Sequence, residues 1–592
     1  MLKVLLSIIS DWKYRFTPFL GWIGELKNGK TLKADAIAGI TVALVLVPQS
    51  MAYAQLAGLP AYVGLYASFL PVIIAATFGS SQQLATGPVA IVSLMTAAAL
   101  EPLALTPEGY LAYAAIIAMI AGLIQLLLGL FRLGVLVDFM SHPVVLGFTN
   151  AAAIIIASSQ LNKILGIGSR SGEHQYETFW HLIQDIPQTH MVTLMMGGFS
   201  IFLLLLLKKI SSKIPNILVT VVVCTLLSYF FGFEVNGGSV VGSIKSGLPD
   251  FKIPDVEYSQ VKQLLMPAAV IALLGFVEAI SIAKAVSQET RQRLSADQEL
   301  VGQGLSNIVS SLFQGYAVSG SFSRSAVNFS ARAKTGFSSV VTGLLVAITL
   351  LFLTPLLYHL PQATLAAVIM VAVIGLIKIE PIEHAWSVNP HDGFIAITVF
   401  LSTLFFAPHL ENGIIIGVFL SLGLYIYRTM RPKLIELSIS EDGTLRGADS
   451  FNLQTSESMV IYRYDGDLYF INAGYLERQL LNFIAEKPDL KVVVLDFESV
   501  SFIDATGEEV VGLINDHLKV AGIDFYIARA KKPLMDVFKR TGLVDKIGEQ
   551  HFFLRRGDAV LYAKEKLGNS IDVKPLINFM PKDSDVPFDR LK

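Results

Sequence analysis

Apolar runs separated by short polar stretches fill the chain from about residue 34 to residue 430. A helix spans a bilayer with about 20 apolar residues, and these runs predict fourteen membrane segments in two sets of seven. The first set covers roughly residues 36–56, 62–78, 88–100, 110–130, 141–161, 190–207 and 215–232. The second set covers roughly residues 264–284, 299–315, 322–334, 338–358, 362–377, 392–407 and 412–427.

The third segment of each set is too short to cross a bilayer as a helix. In the first set, Thr86-Gly87-Pro88 precedes the apolar run 89–100, and in the second set the polar stretch 319–324 precedes the run 325–333. Each run predicts a half-helix that begins inside the membrane. A helix start has unpaired N–H groups and a partial positive charge, so two facing starts form an anion site. Arg324 adds a full charge there.

Basic residues indicate how the segments are oriented, because Lys and Arg gather on the cytoplasmic side of a membrane protein. They follow alternate segments, namely at Lys27, Lys30, Lys33, Arg132, Lys208, Lys209, Lys213, Lys284, Arg291, Arg293, Arg332, Lys334, Lys378, Arg428, Arg431 and Lys433. An odd number of segments per set means that the second set enters from the opposite face. The sequence therefore predicts an inverted repeat in which the two half-helices face each other.

Strand-like and helix-like runs alternate after the last membrane segment, which predicts a small α/β domain on the cytoplasmic side. The expected organisation is an amphipathic cytoplasmic leader at 1–33, a transport domain at 34–432, a linker at 433–456, the α/β domain at 457–568 and a flexible tail at 569–592. Within the transport domain, the two repeats are expected at 34–232 and 264–430.

The composition fits a membrane protein, since 53% of the residues are hydrophobic and 16% are charged, with a mean hydropathy of +0.59. Cys224 is the single cysteine, so no intramolecular disulfide forms. The chain contains no Walker A loop, metal-ligand cluster or nucleophile elbow, which disfavours an ATP-driven pump. We expect no enzyme activity, no cofactor or metal, and no nucleic-acid partner.

Glu278 is the only carboxylate in the segment 264–284. An ionisable side chain inside a membrane is costly and by default faces a cavity, so Glu278 is a candidate for coupling to a proton or another cation. The alternative is that it lies near the cytoplasmic end and reaches water or pairs with Lys284.

Arg324 follows small and polar residues at the start of its segment. A guanidinium suits oxyanions, and the hydroxyls of Ser321 and Ser323 add donors. Arg324 also has a structural alternative, in which it reaches toward the inner face or holds the helix end. We expect the stretch 321–324 to bind substrate, and the sequence leaves open whether Arg324 itself touches the anion.

Two further positions have a structural and a functional interpretation. Gln49 follows Pro48, so its amide either satisfies backbone groups that the proline frees or faces the substrate. Tyr53 lies four residues on, on the same helical face.

In the α/β domain, Thr506 after Asp504 is first of all a helix cap, and phosphorylation or partner recognition is the alternative.

The chain resembles the SulP (sulfate permease) family of anion transporters with a C-terminal STAS domain. The most specific similarity lies in LPAYVGLYASF at 59–69, FGSS at 78–81 and TGPVA at 86–90. The stretches 274–284 and 319–325 are similar to the family's eighth and tenth segments. The resemblance covers nearly the whole chain.

The resemblance implies a uracil-permease-like inverted repeat of seven plus seven segments, divided into core and gate, with substrate held between segments three and ten. The implied site residues are Gln49, Tyr53, Val89, Ala90, Ser321, Phe322, Ser323 and Arg324. It also implies elevator-type transport and a homodimer formed through the STAS and gate regions. Glu278 matches the acidic position of proton-coupled or sodium-coupled members. Thr506 stands where related anti-sigma antagonists carry a phosphorylated serine.

The expected function is proton-coupled symport of sulfate or a similar oxyanion across the plasma (bacterial inner) membrane, with the N-terminus and the STAS domain cytoplasmic. Sodium-coupled bicarbonate transport and proton-coupled dicarboxylate transport are alternatives. Nucleobase permeases share the architecture, but Arg324 favours an anion. An anion channel or sensor that signals through the STAS domain is an alternative of another class, and a cytosolic protein partner at that domain is a weaker hypothesis.

Overall fold

The computed structural model describes residues 17–103, 106–135, 140–168, 175–210, 215–244, 247–255, 258–442 and 444–577. They form two compact units, which divide between Ser421 and Leu422. In the described part of the first unit, eight helical stretches are long and apolar enough to cross a membrane, and four shorter helices of 10–17 residues are also apolar. Of the predicted leader, residues 1–16 lie outside the described residues, and helical turns at Leu20–Ile23 and Gly24–Lys27 follow.

The helices of the first half agree closely with the predicted segments. They are α1 Gly29–Leu56, α2 Ala61–Tyr66, α3 Leu70–Phe78, α4 Ala90–Leu100, α5 Pro107–Leu130, α6 His142–Leu165, α7 Gln175–Asp185, α8 Met191–Ile210 and α9 Asn216–Phe230. The predicted segment 62–78 consists of two helices, because the chain leaves helical geometry at Phe69. The pattern did not predict α7, which is amphipathic and lies between two spanning helices.

The helices of the second half follow the same order. They are α10 Tyr258–Thr290, α11 Ala296–Leu312, α12 Phe322–Ser330, α13 Phe337–Ile348, α14 Gln362–Ile374, α15 Glu380–Val388, α16 Pro390–Phe406 and α17 Leu410–Thr429. The predicted segment 338–358 continues beyond α13 as a π-helical turn at Thr349–Leu353 and a 3-10 turn at Thr354–Leu357. The helix α15 is an addition that the apolar pattern did not predict.

The third segments of both halves are half-helices, as predicted. The helix α4 has 11 residues and α12 has 9. Strand β1 (Thr86–Gly87) precedes α4, strand β2 (Ser319–Gly320) precedes α12, and the two strands pair antiparallel with Thr86 opposite Gly320. The two non-helical breaks therefore lie against each other, which confirms the inverted arrangement of the two halves.

Buried amide side chains hold this strand pair in place. The Gln303 side chain donates to the Thr86 hydroxyl at 2.8 Å, and the Val318 N–H donates to the Asn307 side-chain oxygen at 2.7 Å. Gln303 and Asn307 both lie on α11 and are almost fully buried. Since an unpaired backbone group in a membrane is costly, these contacts make the break tolerable.

The helices of the first unit pack in two groups. The core group comprises α1–α5 and α10–α13, in which α5 packs on α10 and α11, and α1 on α13. The gate group comprises α6, α8, α9, α14 and α16, in which α6 packs on α14 and α16, and α8 on α14. In each half of the chain, the helices of the core group come first and those of the gate group follow.

The second unit has a six-stranded sheet of order β4-β3-β5-β6-β7-β8. The strands are β3 Lys433–Ile439, β4 Leu445–Gly447, β5 Met459–Asp465, β6 Val492–Asp496, β7 Asp524–Ala528 and β8 Phe552–Phe553. The last four are parallel, and β3 pairs antiparallel with β5. The helices are α18 Ala473–Ala485, α19 Ala505–Val520, α20 Lys532–Thr541, α21 Leu543–Ile547 and α22 Arg556–Leu567.

Two predicted boundaries of the second unit are wrong. The stretch 433–456 is not a linker, because it supplies β3, β4 and the helical turn Ala448–Phe451. At the other end, Ile571, Val573 and Leu576 are buried with α22 against one face of the sheet, so the expected flexible tail does not begin at residue 569. Residues 578–592 of that tail lie outside the described residues.

Replacing Gly64 with alanine is expected to destabilise the membrane unit. A Cβ atom at Gly64 on α2 would lie 1.9 Å from the Ser50 carbonyl oxygen on α1, and a backbone carbonyl cannot swing aside. Overpacking of this kind costs about 1–3 kcal/mol, which lowers the midpoint of thermal inactivation in detergent. Gly198→Ala on α8 is the matched control, since nothing lies within 4 Å of its new methyl group. Equal midpoints for the two variants would contradict the packing argument.

Candidate functional site

A cavity of about 490 Å³ lies between the core group and the gate group. From the core group it is lined by residues of α1, α4, α10 and α12, and from the gate group by residues of α8, α9 and α14. The lining residues are Gln49, Tyr53, Val89, Ala90, Ile91, Leu204, Lys208, Asn216, Ile217, Glu278, Ser321, Phe322, Ser323, Val368, Val371, Ala372, Val373, Gly375 and Leu376. Of the eight residues predicted to bind substrate, seven are in this wall, together with Glu278.

Both half-helices begin at the cavity. Val89 is the N-cap of α4 and Ser321 the N-cap of α12, and each has an extended backbone conformation. Neither side chain accepts a capping hydrogen bond from its own helix. The first two N–H groups of each helix, at the positive end of its dipole, therefore belong to residues that line the cavity.

Gln49 and Tyr53 reach the cavity from α1. They lie one turn apart on the same face of the helix, just after Pro48, and both are more than 90% buried. The Gln49 amide oxygen is buried and has no hydrogen-bond partner among the described residues. A buried polar atom of this kind is expected to meet water or a ligand, which favours the substrate-facing role of Gln49 over the purely structural one.

Glu278 also lines the cavity, on the side formed by α10. One of its carboxylate oxygens is buried and has no hydrogen-bond partner among the described residues. Arg324 and Tyr53 are near enough to interact with it electrostatically. Glu278 is therefore placed within the cavity that the half-helices face, rather than in a surface pair with Lys284.

Arg324 takes a different position from the other predicted site residues. Its side chain is fully buried, and it is not among the described residues that line the cavity. It lies behind β1, where a Cβ atom at Gly87 would be 3.2 Å from its Nη2 atom. The structure therefore places Arg324 outside the described lining of the cavity, and its effect on an anion stays a prediction.

Lys208 and Asn216 are lining residues that the sequence analysis did not propose. Lys208 lies in the last turn of α8 and Asn216 at the start of α9, so both lie toward the face that carries the basic loops. The Lys208-Lys209 pair entered the prediction only as an orientation marker. The sequence did offer a signal for these residues. Lysines at the end of a spanning segment, next to a short polar connection, could have predicted the mouth of a cavity.

The opposite end of α1 is tied to the gate group. The Lys163 ammonium group, in the last turn of α6, donates to the Gln55 carbonyl oxygen near the end of α1 at 3.4 Å. A cation at a helix C-terminus is favourable because the carbonyl end carries partial negative charge. This contact joins the two helix groups on the face opposite Lys208.

The two positions predicted in the α/β unit have different surroundings. Asp504 caps α19, since its carboxylate accepts from the Gly507 N–H at 2.8 Å and from the Phe470 N–H at 2.8 Å. Thr506 is exposed in the first turn of the same helix. The predicted cap at Thr506 is therefore wrong, because Asp504 is the cap of α19, and regulation through Asp504 or Thr506 stays a prediction.

Comparison with known protein families gives two matches. The model of the sulfate permease family matches residues 32–399, and that of the STAS domain matches residues 450–559. Among curated proteins, the chain is 34% identical to a protein named probable sulfate transporter 4.2 from Arabidopsis thaliana, over 97% of this chain and 87% of the relative.

Solved structures that are similar to the chain include those of two transporters. The murine Slc26a9 anion transporter, described as inward-facing, has a TM-score of 0.86 at 25% identity and covers 94% of this chain and 95% of its own. The transmembrane domain of the cyanobacterial bicarbonate transporter BicA has a TM-score of 0.57 at 25% identity, over 66% of this chain and 98% of its own. The similarity to the murine protein extends over both units.

Gly87→Ala is expected to weaken anion binding. Gly87 has φ +147, a conformation that other residues adopt only with strain, and its new methyl group would press on Arg324. Strain and displacement of the guanidinium together are expected to raise the Kd for radiolabelled sulfate about tenfold, or about 1.4 kcal/mol. The measurement is equilibrium binding to the purified protein.

Gly232→Ala is the matched control for this prediction. Gly232 also has a positive φ, of +59, but the nearest atom to its new methyl group is 3.8 Å away. This variant carries backbone strain without touching Arg324, so its Kd is expected to equal that of the parent protein. Equal Kd values for both variants would contradict a role of the Gly87–Arg324 contact in binding.

Proposed function

Because the chain belongs to the sulfate permease family of membrane anion transporters, we propose that it is a proton-coupled symporter of sulfate or a similar oxyanion. The observation that carries this proposal is the presence, in one cavity, of two half-helix starts and the Glu278 carboxylate. The helix starts attract an anion, and the carboxylate takes up a cation.

Electrostatics links the two events. An anion that enters the cavity beside an ionised Glu278 is repelled, and the repulsion is strong because the surroundings have a low dielectric constant. Protonation of Glu278 removes this repulsion. Anion and proton therefore favour each other's binding, which is the thermodynamic basis of symport.

An oxyanion suits the donors that the cavity offers. First-turn N–H groups and the hydroxyls of Ser321 and Ser323 point to an acceptor with several oxygens. Sulfate satisfies this condition, and the relative from Arabidopsis thaliana is named a probable sulfate transporter. Bicarbonate with sodium and dicarboxylates with protons also fit such donors and remain the alternatives within the same class.

The boundary between the two helix groups supports elevator-type alternating access. The cavity lies at this boundary, so movement of the core group against the gate group exposes it to alternate faces. In the present conformation Lys208 lies at one mouth, and the Lys163 contact with Gln55 joins the groups at the other face. We assign the Lys208 side to the cytoplasm from the distribution of basic loops.

The α/β unit is proposed to act as a cytoplasmic regulatory and dimerising module. Its sheet and its two buried clusters make it a folded unit of its own. The proposed setting is the plasma membrane, in a bacterium the inner membrane, with the N-terminus on the cytoplasmic side. Phosphorylation of the exposed Thr506, or binding of a cytosolic protein nearby, is the proposed route of regulation.

Uptake into proteoliposomes tests the proposed function. The full chain, reconstituted in liposomes, is expected to take up radiolabelled sulfate saturably when an inward proton gradient is imposed. Unlabelled sulfate should compete best in a panel with bicarbonate, chloride, fumarate and succinate, measured with and without sodium. Stronger competition by bicarbonate with sodium would favour that alternative, and a conductance independent of any gradient would indicate a channel.

Glu278→Gln is expected to abolish uptake driven by the proton gradient while sulfate binding persists. The amide keeps the size of the side chain but cannot take up a proton, so coupling is lost and the attraction of the helix starts is kept. Equilibrium sulfate binding and gradient-driven uptake measure the two properties separately. Glu289→Gln is the control, since Glu289 lies on the same helix but is exposed. Full proton-driven uptake by Glu278→Gln would refute the assignment.

A further inference from the structure

Strand β2 lies directly against the helix that carries Glu278. The Ser319 hydroxyl donates to the Gly275 carbonyl oxygen of α10 at 2.6 Å, and Ser319 is only 1% exposed. A Cβ atom at Gly320 would lie 3.0 Å from the Cα and Cβ atoms of Ala279. The strand therefore contacts α10 at two positions one turn apart, and Glu278 lies between them in the sequence.

The same strand leads into the anion-binding half-helix. Ser321, which follows β2 directly, is the N-cap of α12 and lines the cavity. Its N–H donates to the Ala85 carbonyl oxygen at 2.9 Å, so the break is also fixed to the first half of the chain. The Ser319 hydroxyl thus binds α10, which carries Glu278, and lies only two residues before Ser321 at the start of α12.

We infer that Ser319 is a positioning residue that couples the protonation of Glu278 to anion binding at the start of α12. This inference rests on the proposed symport. A Coulomb interaction depends on distance, so Glu278 affects the anion strongly only while α10 and β2 are held together. Without the hydroxyl, one of the two contacts is lost and α10 and β2 are held together less closely, so protonation then changes anion binding less.

Other charged and titratable groups also influence the protonation of Glu278. Among the described residues, Arg324 on α12 and Tyr53 on α1 interact with it electrostatically, and Lys208 on α8 lines the same cavity. A substitution at Ser319 leaves these groups chemically unchanged, and of the three only Arg324 lies on the helix that follows β2 and moves with it. A change in pH dependence caused by such a substitution therefore reports on the position of α10 relative to β2.

The test compares Ser319→Ala with a matched serine. Ser310 on α11 is also fully buried, and its hydroxyl donates to the Tyr316 carbonyl oxygen at 2.6 Å, but it does not reach α10. For Ser319→Ala, the stimulation of sulfate uptake by a proton gradient is expected to fall about threefold to tenfold, as for a lost buried hydrogen bond. Sulfate binding at a pH low enough to protonate Glu278 should change by less than about twofold, because the repulsion that Ser319 transmits is then absent. Ser310→Ala should keep the parent pH profile.

A double-mutant cycle with Glu278→Gln gives the second readout. If Ser319 acts through the carboxylate, adding Ser319→Ala to Glu278→Gln leaves the pH dependence of sulfate binding and uptake unchanged from that of Glu278→Gln alone. Should Ser319→Ala not fold, Ser319→Cys, which keeps a weaker donor, is expected to lose part of the proton stimulation.

The outcomes separate this inference from the proposed function. A parent protein without proton-driven uptake would overturn both. A parent protein with such uptake, together with a Ser319→Ala or Ser319→Cys variant that keeps the parent pH profile, would overturn the inference alone. Equal losses in Ser319→Ala and Ser310→Ala would also overturn it, because they would indicate general destabilisation.

Discussion

The pairing of β1 with β2 is the constraint on which the membrane unit depends. Inside a bilayer, a backbone N–H or C=O group without a partner costs several kcal/mol. A chain that stops a helix in mid-membrane must therefore find hydrogen bonds for the non-helical residues. Each break supplies them to the other, with Thr86 opposite Gly320 and Gly87 opposite Ser319. A single half-helix would leave the backbone groups of its break without hydrogen bonds. This gives a physical reason for two halves that enter from opposite faces.

The strand pair also separates the charges of the site into two layers. The helix starts face the cavity, whereas Arg324 lies behind Gly87 and is fully buried. A guanidinium in such a position adds to the positive field without occupying the space of the substrate. A low dielectric constant strengthens this field. In the proposed site, this field would add to the attraction for an anion, while the contacts that distinguish one anion from another would be made by N–H groups and hydroxyls.

Much of this arrangement follows from the sequence, and the exceptions have physical causes. The half-helices were predictable because their lengths and polar starts are local properties. Lys208 was not, since its place at the cavity depends on how α8 crosses the core group. The position of Arg324 behind β1 depends on a pairing between residues more than two hundred positions apart. In the second unit, β3 and β4 were missed because short strands of mixed polarity give no clear alternation.

The two helix groups contribute different residues to the cavity, and this difference bears on the proposed joint movement of anion and proton. The helix starts, the Gln49 amide, Glu278 and Arg324 all belong to the core group, and β2 binds α10 and α12 into one body. From the gate group, α14 contributes the apolar side chains of Val368, Val371 and Val373. This apolar part of the gate wall makes no directional bonds that sliding would break, whereas the polar gate residues Lys208 and Asn216 lie toward one face. In the proposed elevator step, movement of the core group would therefore carry the anion and the proton as one unit, with the polar contacts within the core group intact.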